Sequence, residues 1–289
     1  MSSPDDLERE LRETFKGAAR MVPAYHSDVG RALMPNWEQE ALLVPLDWPG
    51  VVNRPLGRHP YDWLMERLTA PAHVDRFRSF AALMGKCDGD FRDVPTHETD
   101  TTTPYIENGY FHLGDALALT AMICQARPKQ YVEIGSGNST RFARRAIARY
   151  QARTKITCID PNPRASVKGI ADEWMPESVL HTPMHVFENL EPGDILFLDG
   201  SHLMFDGTDT EHILLRVYPR LKPGVIIHVH DIFLPYAYPS RCDHLYWNEQ
   251  HALASLLLHK PMSDVLAPVH FMWGKGLIAN EGVSFWLKR

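Results

Sequence analysis

Two short stretches of the chain gather the residue types that move protons or hold metal ions. Asp199-Gly-Ser-His202 and His228-Val-His230-Asp231 each close an apolar run. An imidazole titrates near ambient pH, so His202 and His230 are candidates for a general base, with Asp199 as a third catalytic residue. The same residues can be read as ligands. Asp199, His202, His230 and Asp231 would offer two carboxylates and two imidazoles to a divalent ion, and nitrogen donors favour iron or zinc over magnesium. A plainer reading is that the histidines only tie down the loops. Fifteen histidines in 289 residues is a high count, so the two chemical readings stay open beside it.

A second constellation lies upstream, at Glu133-Ile-Gly-Ser-Gly-Asn-Ser-Thr140. Gly135 and Gly137 allow a sharp turn and a close approach of backbone to ligand, with Ser136 between them. The helix that follows presents unpaired N–H groups. Asp160, closing the next apolar run, is placed to accept hydrogen bonds from ribose hydroxyls. Together these residues predict a nucleoside site. The dinucleotide fingerprint wants a third glycine where Thr140 stands. Glu133 would repel a pyrophosphate but tolerate a sulfonium and an ammonium group. The charge logic therefore favours S-adenosylmethionine over NAD, with Glu133, Gly135, Ser136, Gly137, Asp160 and Asp199 as the cofactor-facing set.

Elements must hold these residues in place. Gln130–Gly135, Ile156–Asp160, Asp194–Asp199 and Gly224–Asp231 are continuous apolar runs, as expected of strands buried on both faces of a parallel sheet. Helical stretches separate them, at Asp115–Ala126 and Thr140–Tyr150 among others, so they read as βαβ units. A fainter strand is expected at Met184–Phe187. Val265–Trp273 and Val283–Lys288 predict a closing antiparallel hairpin. The expected fold is α/β, a doubly wound, mostly parallel seven-stranded sheet with that terminal hairpin and an N-terminal helical and loop extension. Ser3-Pro4-Asp5-Asp6 reads as a helix start, with Leu7, Leu11 and Phe15 as its apolar stripe. Val22–Pro60 is proline-rich and loop-like, and Tyr61–Met84 is again helical. The expected division is 1–100 as a helical cap or extension and 101–289 as the Rossmann-like domain.

Composition narrows the class. The 44% hydrophobic and 23% charged residues suit a globular chain with a sizeable core. A net charge of -6 argues against broad attraction to nucleic acid or anionic membrane. Cys87, Cys124, Cys158 and Cys242 are widely spaced with no CxxC pair, as expected of reduced thiols in a cytoplasm. There is no apolar signal core or run long enough for a membrane span. The expected partner is a small-molecule substrate, and a homodimer is compatible with the first hundred residues serving as an interface or a lid.

The motifs E-I-G-S-G-N-S-T, C-I-D-P, D-I-L-F-L-D-G-S-H and L-K-P-G-V-I-I-H-V-H-D-I-F-L-P-Y-A-Y-P closely resemble a bacterial family of class I S-adenosylmethionine-dependent methyltransferases. N-G-Y-F-H-L-G-D-A and W-N-E-Q-H-A-L-A-S-L-L-L share the resemblance, which runs from about Tyr105 to the end of the chain. It implies methyl transfer to oxygen or nitrogen of a small acceptor, with Glu133, Gly135, Gly137 and Asp160 lining the cofactor pocket. Magnesium-dependent O-methyltransferases of the catechol type place carboxylates where Asp199 and Asp231 stand. The histidines depart from that pattern, which leaves magnesium, iron and zinc all open. Competing readings are a metal-dependent oxygenase or hydroxylase, an NAD-dependent oxidoreductase, and a non-catalytic module that binds S-adenosylmethionine.

Overall fold

The computed structural model describes residues 21–25, 41–45 and 60–289. The expected helix around Leu7, Leu11 and Phe15 lies outside the described residues. The chain divides into two units, one of residues 1–59 with 239–246 and one of residues 60–238 with 247–289. In the first, strand β1 (Met21–Tyr25) runs antiparallel to β2 (Ala41–Pro45), with Met21 opposite Pro45. This ribbon falls within the stretch expected to be loop.

The second unit opens with two helices, α1 (Asp62–Thr69) and α2 (Pro71–Cys87). Ala70, held extended ahead of proline, breaks what the sequence suggested as one helical stretch. Then come α3 (Leu113–Ala126), β3 (Gln130–Ile134), α4 (Asn138–Arg149), β4 (Lys155–Ile159), β5 (Glu173–Met175), α5 (His185–Glu188) and β6 (Ile195–Leu198). The chain continues through α6 (Asp209–His212), β7 (Ile226–Val229), α7 (Glu249–Leu257), β8 (Val265–Pro268), α8 (Val269–Gly274) and β9 (Phe285–Lys288). The strands make one seven-stranded sheet in the order β5-β4-β3-β6-β7-β9-β8. From β5 to β7 the neighbours are parallel, and β9 runs antiparallel to both β7 and β8. The expected sheet and its closing hairpin are both present.

Three details differ from the sequence reading. The faint strand is β5, not Met184–Phe187, which follows Pro183 into the short helix α5. β5 is a three-residue edge strand with Trp174 exposed, so it lacks the apolar run that marks its neighbours. The apolar run Val265–Trp273 is strand only as far as Pro268, after which it turns into α8. Residues 60–100 do not stand apart as an extension. Leu64, Leu68, Phe77, Phe80 and Met84 are buried in the same core as the sheet, and the Phe77 and Phe271 rings meet edge to face at 6.0 Å. The compact unit that carries the sheet begins at Pro60.

Alternation along the strands sorts side chains between two layers. Leu196, Leu198, Ile227, Val229 and Leu287 meet Ile213, Tyr218, Leu221 and Leu253 in an apolar seam on one face. Tyr131, Phe197, His228 and Trp286 form the other face, where Phe197 lies 5.9 Å from Tyr131 and 6.0 Å from Phe111. α3 is apolar nearly all round and buried over ten consecutive residues, Gly114–Ile123. Every functional residue singled out in the sequence lies at or just beyond the carboxyl ends of β3, β4, β6 and β7, where open α/β sheets place their ligands.

Candidate active site

At the end of β3 the chain makes its glycine turn. Gly135 has φ +77°, and a Cβ there would sit 1.7 Å from the carbonyl oxygen of Asp199. Only glycine lets the end of β3 lie against the end of β6, and the Asp199 N–H donates to the Ile134 carbonyl at 2.9 Å. Beyond the turn, Gly137 N–H donates to Thr140 Oγ1 at 3.1 Å, and that hydroxyl donates to Glu133 Oε2 at 2.6 Å. Ser139 Oγ donates to Glu133 Oε1 at 2.5 Å. Thr140, where a dinucleotide site has glycine, thus bridges the turn to the strand.

The Glu133 side chain is wholly buried and accepts both of these hydroxyls, which braces the turn. Burial pushes its carboxyl up to about 8 against the pull of the Ser139 and Thr140 hydroxyls. Asp160, at the end of β4, remains partly exposed. Ser136 N–H donates to its Oδ2 and Asn162 N–H to its Oδ1, each at 2.7 Å. Asn138 Oδ1, in the first turn of α4, is buried with no hydrogen-bond partner among the described residues. A buried acceptor of that kind calls for a donor. With the half-exposed Asp160 carboxylate and the side-chain-free Gly137, the turn fits a nucleoside ligand.

The ends of β6 and β7 bring the second constellation together. Asp199 Oδ1 lies 3.3 Å from His202 Nε2 and 3.7 Å from His230 Nδ1. Asp231 Oδ2 lies 3.4 Å from His202 Nε2 and 3.6 Å from His230 Nδ1. Asp199, His230 and Asp231 each offer one ligand atom within 4.8 Å of the others. The imidazoles are 6% and 2% exposed, the carboxylates 19% and 23%. The acids therefore face the opening and the histidines lie beneath them. Both His202 (φ +60°) and Asp231 (φ +53°) have left-handed backbones, a strained conformation for residues with a Cβ. Such strain at two neighbouring polar residues marks a site built for ligands more than for stability.

Each of the two histidines has a carboxylate behind it. His202 Nδ1 pairs with Glu249 Oε2 at 2.9 Å, because the His202 carbonyl accepts the Asn248 and Glu249 N–H groups at the start of α7. Behind His230, Asp115 Oδ2 lies 3.6 Å from Nε2. Glu249 and Asp115 were not singled out in the sequence. Each is an acid in the first turn of an apolar helix, and such an acid must find a partner when buried.

Burial works against the charge on His202, yet hydrogen bonding to Asp199 and Glu249 prevails and lifts it to about 10. His230 is likewise held well above the ordinary imidazole range, its burial outweighed by Asp231 and Asp199. Asp199 is driven well below the usual carboxylate range by His230 and His202 despite its burial. Four carboxylates surround these two imidazoles, and Asp199, Asp231 and the His230 Nδ1 nitrogen form a donor set for a dication. His228, on the same face as His230, is outside the cluster. It is fully buried, stacked on Phe197 at 3.8 Å and packed on Trp286 at 4.6 Å. Burial and the charge on His230 keep it neutral.

Residues 132–232 match the family model of a methyltransferase domain. That span runs from β3 to the residue after Asp231. No curated protein matches the chain. Similar solved structures include a Klebsiella pneumoniae protein provisionally named an O-methyltransferase, at 13% identity over 70% of this chain and 84% of that one, with a TM-score of 0.36. Another is cofactor-bound Rv0187 from MTB, at 13% identity over 79% of this chain and 97% of that one, also with a TM-score of 0.36. Both likenesses are shallow. Among the described residues no helix is long and apolar enough to cross a membrane.

Proposed function

We propose, from the premise that the chain carries a class I S-adenosylmethionine-dependent methyltransferase domain, that it methylates an oxygen of a small acceptor beside a divalent cation. The observation that carries this reading is the convergence of Asp199 Oδ1, His230 Nδ1 and Asp231 Oδ2, with His202 Nε2 directed at both carboxylates. Asp199, His230 and Asp231 would hold the cation. Bound there, it would acidify the acceptor hydroxyl and offset Asp199 and Asp231, two of the three carboxylates that hold the proton on His202. S-adenosylmethionine supplies the electrophilic methyl group.

The remaining work falls to this chain's residues. The turn Gly135–Gly137, Asn138 and the Asp160 carboxylate orient the nucleoside beyond β3 and β4. Because Gly135 lets Asp199 lie against the turn, the nucleoside site and the acid cluster share a wall. His202 Nε2 takes the acceptor's proton, while Glu249 on Nδ1 fixes the tautomer that leaves Nε2 able to receive it. The Trp247 ring, 4.5 Å from that of His202, covers the base on one side.

Calorimetric titration with S-adenosylmethionine, elemental analysis and turnover of a panel of hydroxylated acceptors with and without chelator test this reading. Turnover lost on chelation and restored by a divalent ion, with cofactor affinity unchanged, supports it. Full turnover in chelator overturns the cation reading. Failure to bind S-adenosylmethionine removes the reading altogether.

A further inference from the structure

We propose that Asp115 is a positioning residue that fixes the His230 ring with Nδ1 turned to the acid cluster, an inference that rests on the cation reading above. Alternation along β7 places His228 and His230 on the face covered by α3, and Asp115 lies in the first turn of that helix. Its carboxylate is wholly buried, and its two oxygens are used differently.

Oδ1 is saturated. It accepts the Val283 and Ser284 N–H groups, each at 2.8 Å, and the Ser284 hydroxyl. The chain presses so close that a Cβ on Gly282 would lie 2.6 Å from Oδ1. Asp115 is thereby bolted to the two residues that lead into β9 and cannot turn away from the site. Oδ2 accepts no hydrogen bond among the described residues. It lies 3.6 Å from His230 Nε2 and 3.5 Å from His112 Nδ1. His230 Nε2 is equally buried and equally without a hydrogen-bond partner. Two unpartnered buried polar atoms thus face each other, one of them on a carboxylate held from behind.

An acceptor at Nε2 keeps one ring proton there, so that Nδ1 is the nitrogen that would give up its proton to a cation beside Asp199 and Asp231. A carboxylate behind a ligating histidine orients the ring and strengthens it as a donor. Asp115→Asn reverses this with little change of shape. The amide oxygen keeps the bonds from Val283 and Ser284, so the amide N–H₂ must face Nε2. That drives the ring proton to Nδ1 and blocks the donor.

The test is calorimetric titration of zinc(II) into the metal-free full-length chain, wild type against D115N, with thermal unfolding of both. Zinc affinity about 10- to 100-fold weaker in D115N, at unchanged melting temperature and unchanged S-adenosylmethionine affinity, supports the inference. Equal zinc affinity overturns it and leaves the cation reading standing. A wild type that binds no zinc overturns both. Should D115N fail to fold, ring ¹H–¹⁵N spectra of the zinc-loaded wild type decide. Zinc on His230 Nδ1 with the proton kept on Nε2 supports the inference, and zinc on Nε2 overturns it.

Discussion

At the scale of single residues, roles divide by what stands behind each side chain. His202 and His230 both point a nitrogen at Asp199 and Asp231, but only His202 has a hydrogen bond to its carboxylate already made. Replacing it should therefore affect proton removal first. His202→Ala is expected to lower kcat by about 10²–10⁴ with cofactor affinity retained, measured by steady-state kinetics and calorimetry. Glu249→Gln, which turns an N–H₂ toward Nδ1, should lower kcat by less than His202→Ala at unchanged KM for S-adenosylmethionine. Glu133 makes a different prediction. Its carboxyl is raised in the fold to about 8, above the ordinary value near 4.5 that the unfolded chain shows. The folded state then binds the extra proton between those values, so stability is full below the lower one and is lost as pH rises through the upper one. Glu133→Gln, which cannot ionise, should flatten that alkaline loss. A melting temperature that falls equally in both proteins would contradict the assignment.

At the scale of elements, the sheet was legible because its inner strands declare themselves. β3, β4, β6 and β7 are covered on both faces, so each needs an unbroken apolar run, and each ends at a residue that could be named from chemistry alone. β5 covers nothing on its outer side and has no such run. The four-residue cluster was also readable, since two strand ends on one sheet must lie side by side. Its supports were not. Asp115 and Glu249 sit in helices whose docking is a tertiary fact, and neither spacing nor residue type links them to His230 or His202. The signal that could have found them is local: a carboxylate set among Leu113, Ala116, Leu117 and Leu119 cannot be buried alone. The burial of Glu133 was not legible either, because sequence shows the charge of a glutamate but not its depth in the fold. The turn itself makes a prediction at this scale. Gly135→Ala combines a left-handed φ with a Cβ driven into the Asp199 carbonyl, and should cost on the order of 3 kcal/mol or more. Chemical denaturation measures the loss, and zinc binding should fall with it because Asp199 must shift.

At the scale of the whole molecule, residues 60–100 belong to the core that carries the site. Leu64, Leu68, Phe77, Phe80 and Met84 together supply on the order of 10 kcal/mol of burial, comparable with the roughly 5–15 kcal/mol that holds a domain folded. A chain begun at Thr101 should therefore show no cooperative unfolding by circular dichroism, whereas one begun at Pro60 should keep it. The order of the strands has a consequence in time. β9 follows the other strands of the sheet in the chain, yet it lies inside the sheet, between β7 and β8, and the two residues just before it, Val283 and Ser284, meet the Asp115 carboxylate. Contacts that span so much of the chain form late and slowly. A ribosome that has passed Asp231 has made Asp199, His202, His230 and Asp231 but has not yet given Asp115 its anchor. A nascent chain stalled before Val283 should hold a half-built sheet with an exposed β7 edge and an Asp115 carboxylate that nothing yet fixes.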